Sequence, residues 1–339
     1  MKKIRKYIYL LLIFSYVSFT SCEDFALGEK FLQKPPSGDV TIDTIFSTAE
    51  YARRVLWYAY SKLPYGFSTG YNNSTSMRVG SIESLTDLAQ SYVGYAGADK
   101  LYYPGLYNAG SEDESGGEDH ATKYNMYARD PWKGIRHAWV FINNVDRVPD
   151  MTAEEKLRLK AEAKITIAVQ YSEMLRHYGA LPIVDHAIMP EEMGLPERAT
   201  LQQTVDFITR LLDEAIACKE LPWALPEDDL SNESGRMTGA AAMGLKLRVL
   251  LFVASPLFNS DEPYFPGEAS DKLMTWFGGY SEQRWKDAAK AGEDFFKSWK
   301  QGGFYELVQK ETATKNTIRQ AFQDAYYTRA VSYTHLTLP

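Results

Sequence analysis

The segment from Trp132 to Val184 constrains the fold most, because it contains two helical patterns separated by one short break. Inward-facing residues at helical spacing are, in the first pattern, Trp132, Ile135, Trp139, Ile142 and Val145, and, in the second, Leu157, Ala161, Ile165, Ala168, Ser172 and Leu175. Each set forms one stripe along a helix. Pro149-Asp150 separates the helices, Thr152 with Glu155 predicts a capping box, and Gly179 predicts the second C-terminus. The segment is therefore predicted to form an αα-hairpin.

Further helices are predicted on both sides of this hairpin. Their predicted bounds are Asp43–Ser61 with Ser47 or Thr48 as the cap, Thr200 to about Lys219, Met237–Ser255 and Glu282–Trp299. Helices in series suggest tetratricopeptide-like stacking, although a strict period of about 34 residues is absent. The predicted class is mostly α.

The central hairpin also resembles a known family. Its matching positions are Trp132, Asn143, Glu162-Ala163 and the run Tyr178-Gly179-Ala180-Leu181-Pro182. In this pattern the chain is similar to the SusD/RagB-type outer-membrane nutrient-binding lipoproteins, and the run Thr44 to Glu50 resembles the family's first helix. One position departs from the family: Ile167-Ala168 stands where an Arg-Ala pair is usual. The resemblance covers residues 1 to about 310. It implies a SusD-like α-superhelix of helical hairpins with a loop-rich aromatic layer on one side.

Composition limits the function classes. The chain has 339 residues, 45% of them hydrophobic, which suffices for a sizeable core. A net charge of −7 argues against a nucleic-acid partner, because such a protein needs a basic surface to neutralise phosphates.

The N-terminus is predicted to be an export signal. Lys2, Lys3, Arg5 and Lys6 precede an apolar run from Tyr7 to Phe19, so residues 1–21 are typical of a signal peptide. Cys22, within Phe19-Thr20-Ser21-Cys22, resembles a bacterial lipobox, which implies a lipidated Cys22 anchored in the outer membrane and facing the cell surface. The alternative is an exported protein with a free Cys22. Residues 22–42 are predicted to be the anchor and tether.

Between Leu63 and Arg129 the helical periodicity is lost and tyrosine, asparagine and glycine are frequent. Loops this long inside a compact domain are usually functional or disordered, and the aromatic content disfavours disorder. We therefore expect ligand-binding residues here, with Tyr71 and Tyr95 stacking on sugar rings and Asn72 and Arg78 bonding hydroxyl groups. The alternative for each tyrosine is a packing role under a loop.

Other motifs carry weaker signals. Gly66-Phe67-Ser68-Thr69-Gly70 matches a nucleophile-elbow pattern, but the buried strand and helix that this chemistry needs are not predicted around Ser68. The histidines lack metal-ligand spacing. The acidic cluster from Glu112 to Asp119 could ligate Ca²⁺, but it lacks EF-hand order, so a solvated loop is favoured and no metal or cofactor is expected. Lone Cys218 is predicted to be an inert buried thiol on its helix.

The resemblance implies a non-enzymatic function. The expected role is capture of a nutrient, an oligosaccharide in the first instance, for delivery to a SusC-like TonB-dependent transporter. The alternatives are a binder of peptides or another non-glycan nutrient and a secreted serine hydrolase using Ser68. Residues 43–329 are expected to be an incomplete SusD-like domain, truncated at the C-terminus, and residues 330–339 to be a non-native tail.

Overall fold

The computed structural model describes residues 41–63, 87, 90, 103–105, 130–188, 192, 196–225, 230–305, 308, 312 and 314–327. The chain divides into a unit Met1–Ile45 and a unit Phe46–Pro339. Cys22, Ser68, Tyr71, Asn72, Arg78, Tyr95, the acidic cluster from Glu112 to Asp119 and the predicted tail lie outside the described residues.

The described secondary structure is helical. In the first unit lies α1 (Ile42–Ile45), and the second contains α2 (Ala49–Tyr60), α3 (Asp130–Asn144), a 3₁₀ turn (Val145–Arg147), α4 (Ala153–Tyr178), α5 (Leu201–Ile216), α6 (Leu230–Glu233), α7 (Gly239–Ala254), α8 (Glu268–Asp271), α9 (Glu282–Gly302) and α10 (Lys315–Tyr327). Among the described residues, β-pairing is confined to an isolated antiparallel bridge between Pro182 and Arg198. The mostly α class is therefore confirmed.

Hydroxyl residues begin most of the long helices; the caps at Thr48, Thr152 and Thr200 were predicted from the sequence, and those at Thr238 and Ser281 were not. Side-chain oxygens accept backbone N–H bonds at the N-caps Thr48, Thr152, Thr200, Thr238 and Ser281. These bonds satisfy donors that have no partner within the helix. Because Thr48 caps α2, the single helix predicted from Asp43 to Ser61 is wrong, and the chain leaves helical geometry between Ile45 and Ala49. The capping box predicted at Thr152 is only half formed, since the Glu155 carboxylate bonds Arg53 instead.

Helix α4 is the centre of the second unit. It packs against α2, α3, α5 and α7, so it is buried on nearly every side, and the one-sided stripe predicted for it is wrong. Buried polar residues Glu162, Thr166 and Gln170 lie among its apolar ones, while the predicted inward residue Leu157 is half exposed. Ile167, where the family resemblance expects arginine, is fully buried.

The helices pack in a series. Helix α2 contacts α3, α3 contacts α4, α4 contacts α5, α5 contacts α7 and α7 contacts α9. On α9, Ala288 and Phe295 are buried, whereas Trp285 and Phe296 are partly exposed. The sequence prediction of a buried Cys218 is wrong. Cys218 lies beyond the end of α5 and is partly exposed, with its Sγ 3.6 Å from the Leu157 carbonyl oxygen.

A buried ionic cluster joins three distant parts of the chain. The fully buried Glu162 carboxylate accepts bonds from Arg236 (2.6 and 3.2 Å), Arg158 (3.0 Å) and the Tyr60 hydroxyl (2.8 Å). Glu233 accepts bonds from both arginines as well. The Tyr60 hydroxyl also accepts the Met237 N–H (3.0 Å), and burial, with the Glu162 charge, raises the pKa of Tyr60 well above its usual value. Two arginines face two carboxylates, so the charges balance within the cluster.

Candidate functional site at one end of the helix series

Alternating helix directions bring every second connection to the same end of the series. The start of α2 lies at the α3–α4 turn, where the Ala49 N–H bonds Asp150 Oδ1 at 2.7 Å. The end of α2 meets the start of α3, where a Cβ added to Gly134 would come within 3.0 Å of the Lys62 Cβ. The connection of residues 61–129 therefore leaves and returns at one end.

The α4–α5 and α7–α9 connections face the same way and are bonded to each other. The Ala180 N–H donates to the Met274 carbonyl at 2.8 Å, and the Leu201 N–H donates to the Leu273 carbonyl at 2.8 Å. We call this side, defined by the end of α2, the start of α3 and connections 179–200 and 255–281, the loop-bearing end. A rigid helical scaffold that presents adjacent long loops is a common arrangement for binding sites.

The Tyr-Gly-x-x-Pro motif has a structural role at this end. Gly179 adopts φ +73° and lies against the Met274 carbonyl, where an added Cβ would come within 2.7 Å of the oxygen. Arg198 donates to the Ala180 carbonyl at 2.8 Å and to the Tyr178 carbonyl. The motif therefore turns the chain out of α4 and fixes the 179–200 connection to its neighbour.

Two aromatic residues fix the next part of that connection. The buried Tyr171 hydroxyl donates to the Pro182 carbonyl (2.9 Å) and accepts the Val184 N–H (2.8 Å). The indole N–H of Trp139 donates to the Val184 carbonyl at 2.8 Å. The Pro182 carbonyl and both backbone groups of Val184, which lie outside any helix, are thus satisfied by side chains of α3 and α4.

Replacing Tyr171 with phenylalanine should lower the free energy of unfolding by about 1–3 kcal/mol, because a partly buried carbonyl and a buried N–H lose their partner. Urea unfolding followed by circular dichroism measures the change. As a control, Tyr51→Phe removes a hydroxyl from a side chain that is 46% exposed and should change stability by less than about 0.5 kcal/mol. Equal stabilities of Tyr171→Phe and wild type would contradict the role assigned to this hydroxyl.

Aromatic and basic side chains lie next to the two helix ends that the predicted tyrosine-rich segment joins. The Tyr58 ring packs on the His137 ring with centroids 4.3 Å apart, and Lys62 Nζ lies 5.2 Å from the Tyr58 centroid. Trp132 packs edge-on against Tyr171 at 6.0 Å. Aromatic and basic groups therefore surround the two points where the predicted segment joins the scaffold.

The 255–281 connection carries exposed aromatic side chains on a firmly anchored loop. Tyr264 and Phe265 are 80% and 83% exposed. Asn259, which is buried, bonds the carbonyls of Ala254 and Ser281 and accepts the Ser281 N–H at 2.7 Å. This exposed pair was not predicted; the available signal was its place between Pro263 and Pro266, which restrict the backbone on both sides.

The loop-bearing end is acidic. The described residues of connections 179–200 and 255–281 include seven acidic and two basic residues, a net charge of −5 with histidine counted as neutral. The acidic residues are Asp185, Glu192, Glu197, Asp261, Glu262, Glu268 and Asp271, and the basic ones are Arg198 and Lys272. Such an imbalance favours uncharged or cationic ligands at this end and disfavours anionic ones.

A histidine lies between two carboxylates in the 179–200 connection. His186 Nδ1 is 2.8 Å from Asp185 Oδ1, and His186 Nε2 is 2.8 Å from Glu192 Oε2. The bond to Glu192, followed by that to Asp185, raises the pKa of His186, and the bond to His186 lowers the pKa of Asp185. Because the carboxylates bind opposite sides of the ring, the three groups do not converge on one ion. In the described part of the chain, no three metal-ligating side chains are grouped as a metal site.

This arrangement predicts a pH-dependent local stability. Because the pKa of His186 is raised, the protonated ring contributes fully to the local stability below about pH 6.5. This contribution is lost as the pH rises through the pKa of His186 in the folded state. Because the pKa of Asp185 is lowered, its carboxylate contributes fully to the local stability above about pH 4. This contribution is lost as the pH falls through the pKa of Asp185 in the folded state. Hydrogen exchange at residues 185–188, corrected for intrinsic rates, should therefore be slower at about pH 5.5 than at about pH 8.5.

The matched variant for that measurement is His186→Gln, which should remove the difference between the two pH values. Arg210, which also acts on Asp185, keeps its charge throughout this range. Equal protection of residues 185–188 in the wild type at both pH values would contradict the prediction.

The chain is similar to known proteins in its fold, the series of helices with loops at one end. The sequence matches no protein-family model, and no curated protein matches it significantly. Among solved structures, the chain is similar to the protein BT4246, with a TM-score of 0.53 at 22% identity over 81% of this chain and 43% of the other. It is also similar to a SusD-like protein from Bacteroides fragilis, with a TM-score of 0.50 at 20% identity over 82% of this chain and 43% of the other.

A third solved structure, a SusD-like carbohydrate-binding protein from Bacteroides fragilis, gives a TM-score of 0.50 at 16% identity over 78% of this chain and 42% of the other. The chain has the SusD-like fold, which confirms the fold implied by the sequence resemblance. It spans about two fifths of the length of these proteins. Within the described residues, no helix is both long and apolar enough to cross a membrane.

Proposed function

We propose that this protein is a non-enzymatic, nutrient-binding lipoprotein of the outer-membrane surface that captures an oligosaccharide and delivers it to a SusC-like TonB-dependent transporter. The observation that carries the proposal is the SusD-like fold. One of the solved structures similar to this chain is that of a SusD-like carbohydrate-binding protein. The loop-bearing end supports it further, since exposed aromatic rings there suit the apolar faces of sugars.

In this proposal the ligand contacts residues from more than one connection. Tyr71 and Tyr95 would stack on sugar rings while Asn72 and Arg78 bond hydroxyl groups, in a segment whose two ends join the scaffold at Lys62 and Asp130. Tyr58 and His137 lie beside that junction. Cys22 would carry the lipid anchor, and residues 22–42 would provide the tether between membrane and scaffold.

The expected result of a glycan-array screen on the purified chain is binding of at least one oligosaccharide class. Tyr71→Ala and Tyr95→Ala should then weaken binding by about 0.5–3 kcal/mol in calorimetric titration, because a stacking ring is lost. Their melting temperatures should stay close to that of the wild type. A large loss of stability with unchanged affinity would instead assign the tyrosines to packing, with a cost of about 3–5 kcal/mol.

The same measurements distinguish the alternatives. Binding of a peptide library and of no glycan would favour the peptide-binding function. Esterase activity that is lost in Ser68→Ala would favour a hydrolase. Fractionation of cells that express Cys22→Ala tests the anchor, since the proposal requires this variant to leave the membrane fraction.

A further inference from the structure

The Pro263–Pro266 turn of the 255–281 connection presents the most exposed aromatic side chains of the described chain. Tyr264 and Phe265 leave 80% and 83% of their surface to solvent, far more than Trp285 or Phe296, which are 39% and 45% exposed. Adjacent exposed aromatic side chains of this kind can mark a binding surface.

The base of this connection is held in place by several independent bonds. Arg284 donates to Asn259 Oδ1 and to the Gly279 carbonyl, both at 2.9 Å, and its guanidinium lies 4.0 Å from the Phe277 ring centroid. The Phe277 N–H donates to the Phe258 carbonyl at 3.2 Å. The connection is further bonded to the 179–200 connection through Leu273 and Met274. Because these bonds already order the base of the loop, a ligand that contacts the exposed aromatic side chains causes little further loss of conformational entropy there.

The charges beside these rings identify the kind of ligand. Asp261 and Glu262 precede the turn, Glu268 and Asp271 follow it, and the first basic residue is Lys272, which pairs with Glu268 at 2.7 Å. Carboxylates next to aromatic rings can accept hydrogen bonds from hydroxyl groups while the rings cover apolar faces. The same carboxylates repel sulfate, phosphate and uronate groups. An uncharged, hydroxyl-rich ligand fits this chemistry.

The turn lies at the end of the helix series where the ligand is proposed to bind. It belongs to the loop-bearing end, where connections 179–200 and 255–281 are bonded to each other, and the described residues of these two connections carry a net charge of −5. We infer that Tyr264 and Phe265 form a second contact element for the ligand, and that this ligand is an uncharged oligosaccharide and not an acidic polysaccharide. The inference rests on the proposed function and specifies its ligand class and a further contact.

Affinity electrophoresis in native gels tests both parts. The gels contain either an uncharged polysaccharide, from a set of laminarin, starch, xylan and galactomannan, or an acidic one, polygalacturonate or chondroitin sulfate. The wild-type chain should be slowed by at least one uncharged polymer and by neither acidic polymer. The double variant Tyr264→Ala/Phe265→Ala should bind that polymer about 5- to 100-fold more weakly, a range guided by the loss of one or two stacking contacts.

Tyr51→Ala provides the matched control, because Tyr51 is a half-exposed tyrosine on the first turn of α2, away from the loop-bearing end. It should bind as the wild type does. Circular dichroism melts should show that the double variant stays folded, as expected for exposed side chains that contribute little to the core.

Each other outcome has a distinct meaning. Retardation by an acidic polymer alone would overturn the ligand class while leaving oligosaccharide binding in place. Undiminished binding by the folded double variant would overturn the role of Tyr264 and Phe265, and those rings would then be assigned to a protein contact. Absence of retardation in every gel, together with an empty glycan array, would overturn the proposed function and this inference with it.

Discussion

Replacing Glu162 with glutamine is expected to lower the free energy of unfolding by about 3–5 kcal/mol, the largest effect we predict for a single substitution. The change removes one of two carboxylates that balance Arg158 and Arg236. The side chains of these arginines are only 22% and 15% exposed, so water replaces little of the lost interaction. The glutamine amide would also point N–H donors at guanidinium N–H groups, which are donors too.

Equilibrium urea unfolding measures this change, with wild type and variant compared at the same pH. Glu50→Gln is the matched control, because Glu50 also pairs with an arginine, Arg54 at 2.6 Å, but both side chains are at least 66% exposed. Its expected cost is below about 1 kcal/mol. Similar costs for the two substitutions would show that burial does not set the strength of the Glu162 cluster.

Replacing Gly179 with alanine is expected to cost about 2–5 kcal/mol. Two effects add: a non-glycine residue at φ +73° is strained by about 1–3 kcal/mol, and the new Cβ would come within 2.7 Å of the Met274 carbonyl oxygen. That oxygen accepts the Ala180 N–H and belongs to the neighbouring connection, so it cannot move without breaking a bond.

Gly303 separates the two effects. It has a similar backbone conformation, φ 59° and ψ −145° against φ 73° and ψ −130° for Gly179, but an added Cβ would meet nothing within 4 Å. Gly303→Ala should therefore show the backbone strain alone, about 1–3 kcal/mol. Thermal melts of both variants measure the difference. If Gly179→Ala were no worse than Gly303→Ala, the contact with Met274 would have no energetic role.

Local patterns in the sequence predict the helices well. The caps Thr152 and Thr200, the stop at Gly179 and the inward face of α5 (Val205, Ile208, Leu212 and Ala215) follow from residues within one or two turns of each other, and all are found. Such signals depend on backbone donors and on side-chain spacing, which are set before any long-range contact forms.

Long-range contacts explain most of the failures. The surroundings of α4 depend on helices up to about a hundred residues away, as the pairs Arg53–Glu155 and Tyr60–Glu162 show, so periodicity alone predicts one buried side where there are several. Glu162 and Gln170 are polar residues of the kind usually found on a solvent-facing surface, yet both are buried and each bonds a partner elsewhere in the chain. Glu155 was predicted to bond its own helix end, but the bidentate bond to Arg53 takes both of its oxygens.

The candidate site also has one part that the sequence predicts and another that it does not. Its tyrosine-rich part was predicted from composition and stays a prediction, because Tyr71, Asn72, Arg78 and Tyr95 lie outside the described residues. The alternation of helix directions, which brings the end of α2, the start of α3 and connections 179–200 and 255–281 to one end, depends on which helices pack together. Single-sequence patterns do not encode that information directly.

The unequal lengths of the connections also determine the order in which the helices come together. Eight residues separate α3 from α4, whereas 69 separate α2 from α3. Closing the longer connection costs about 2 kcal/mol more in chain entropy, since the cost grows with the logarithm of length. We therefore expect the hairpin of α3 and α4 to form early and α2 to dock onto it late. Contacts such as Arg53–Glu155, which can form only after α2 docks, should then slow unfolding and have little influence on the folding rate.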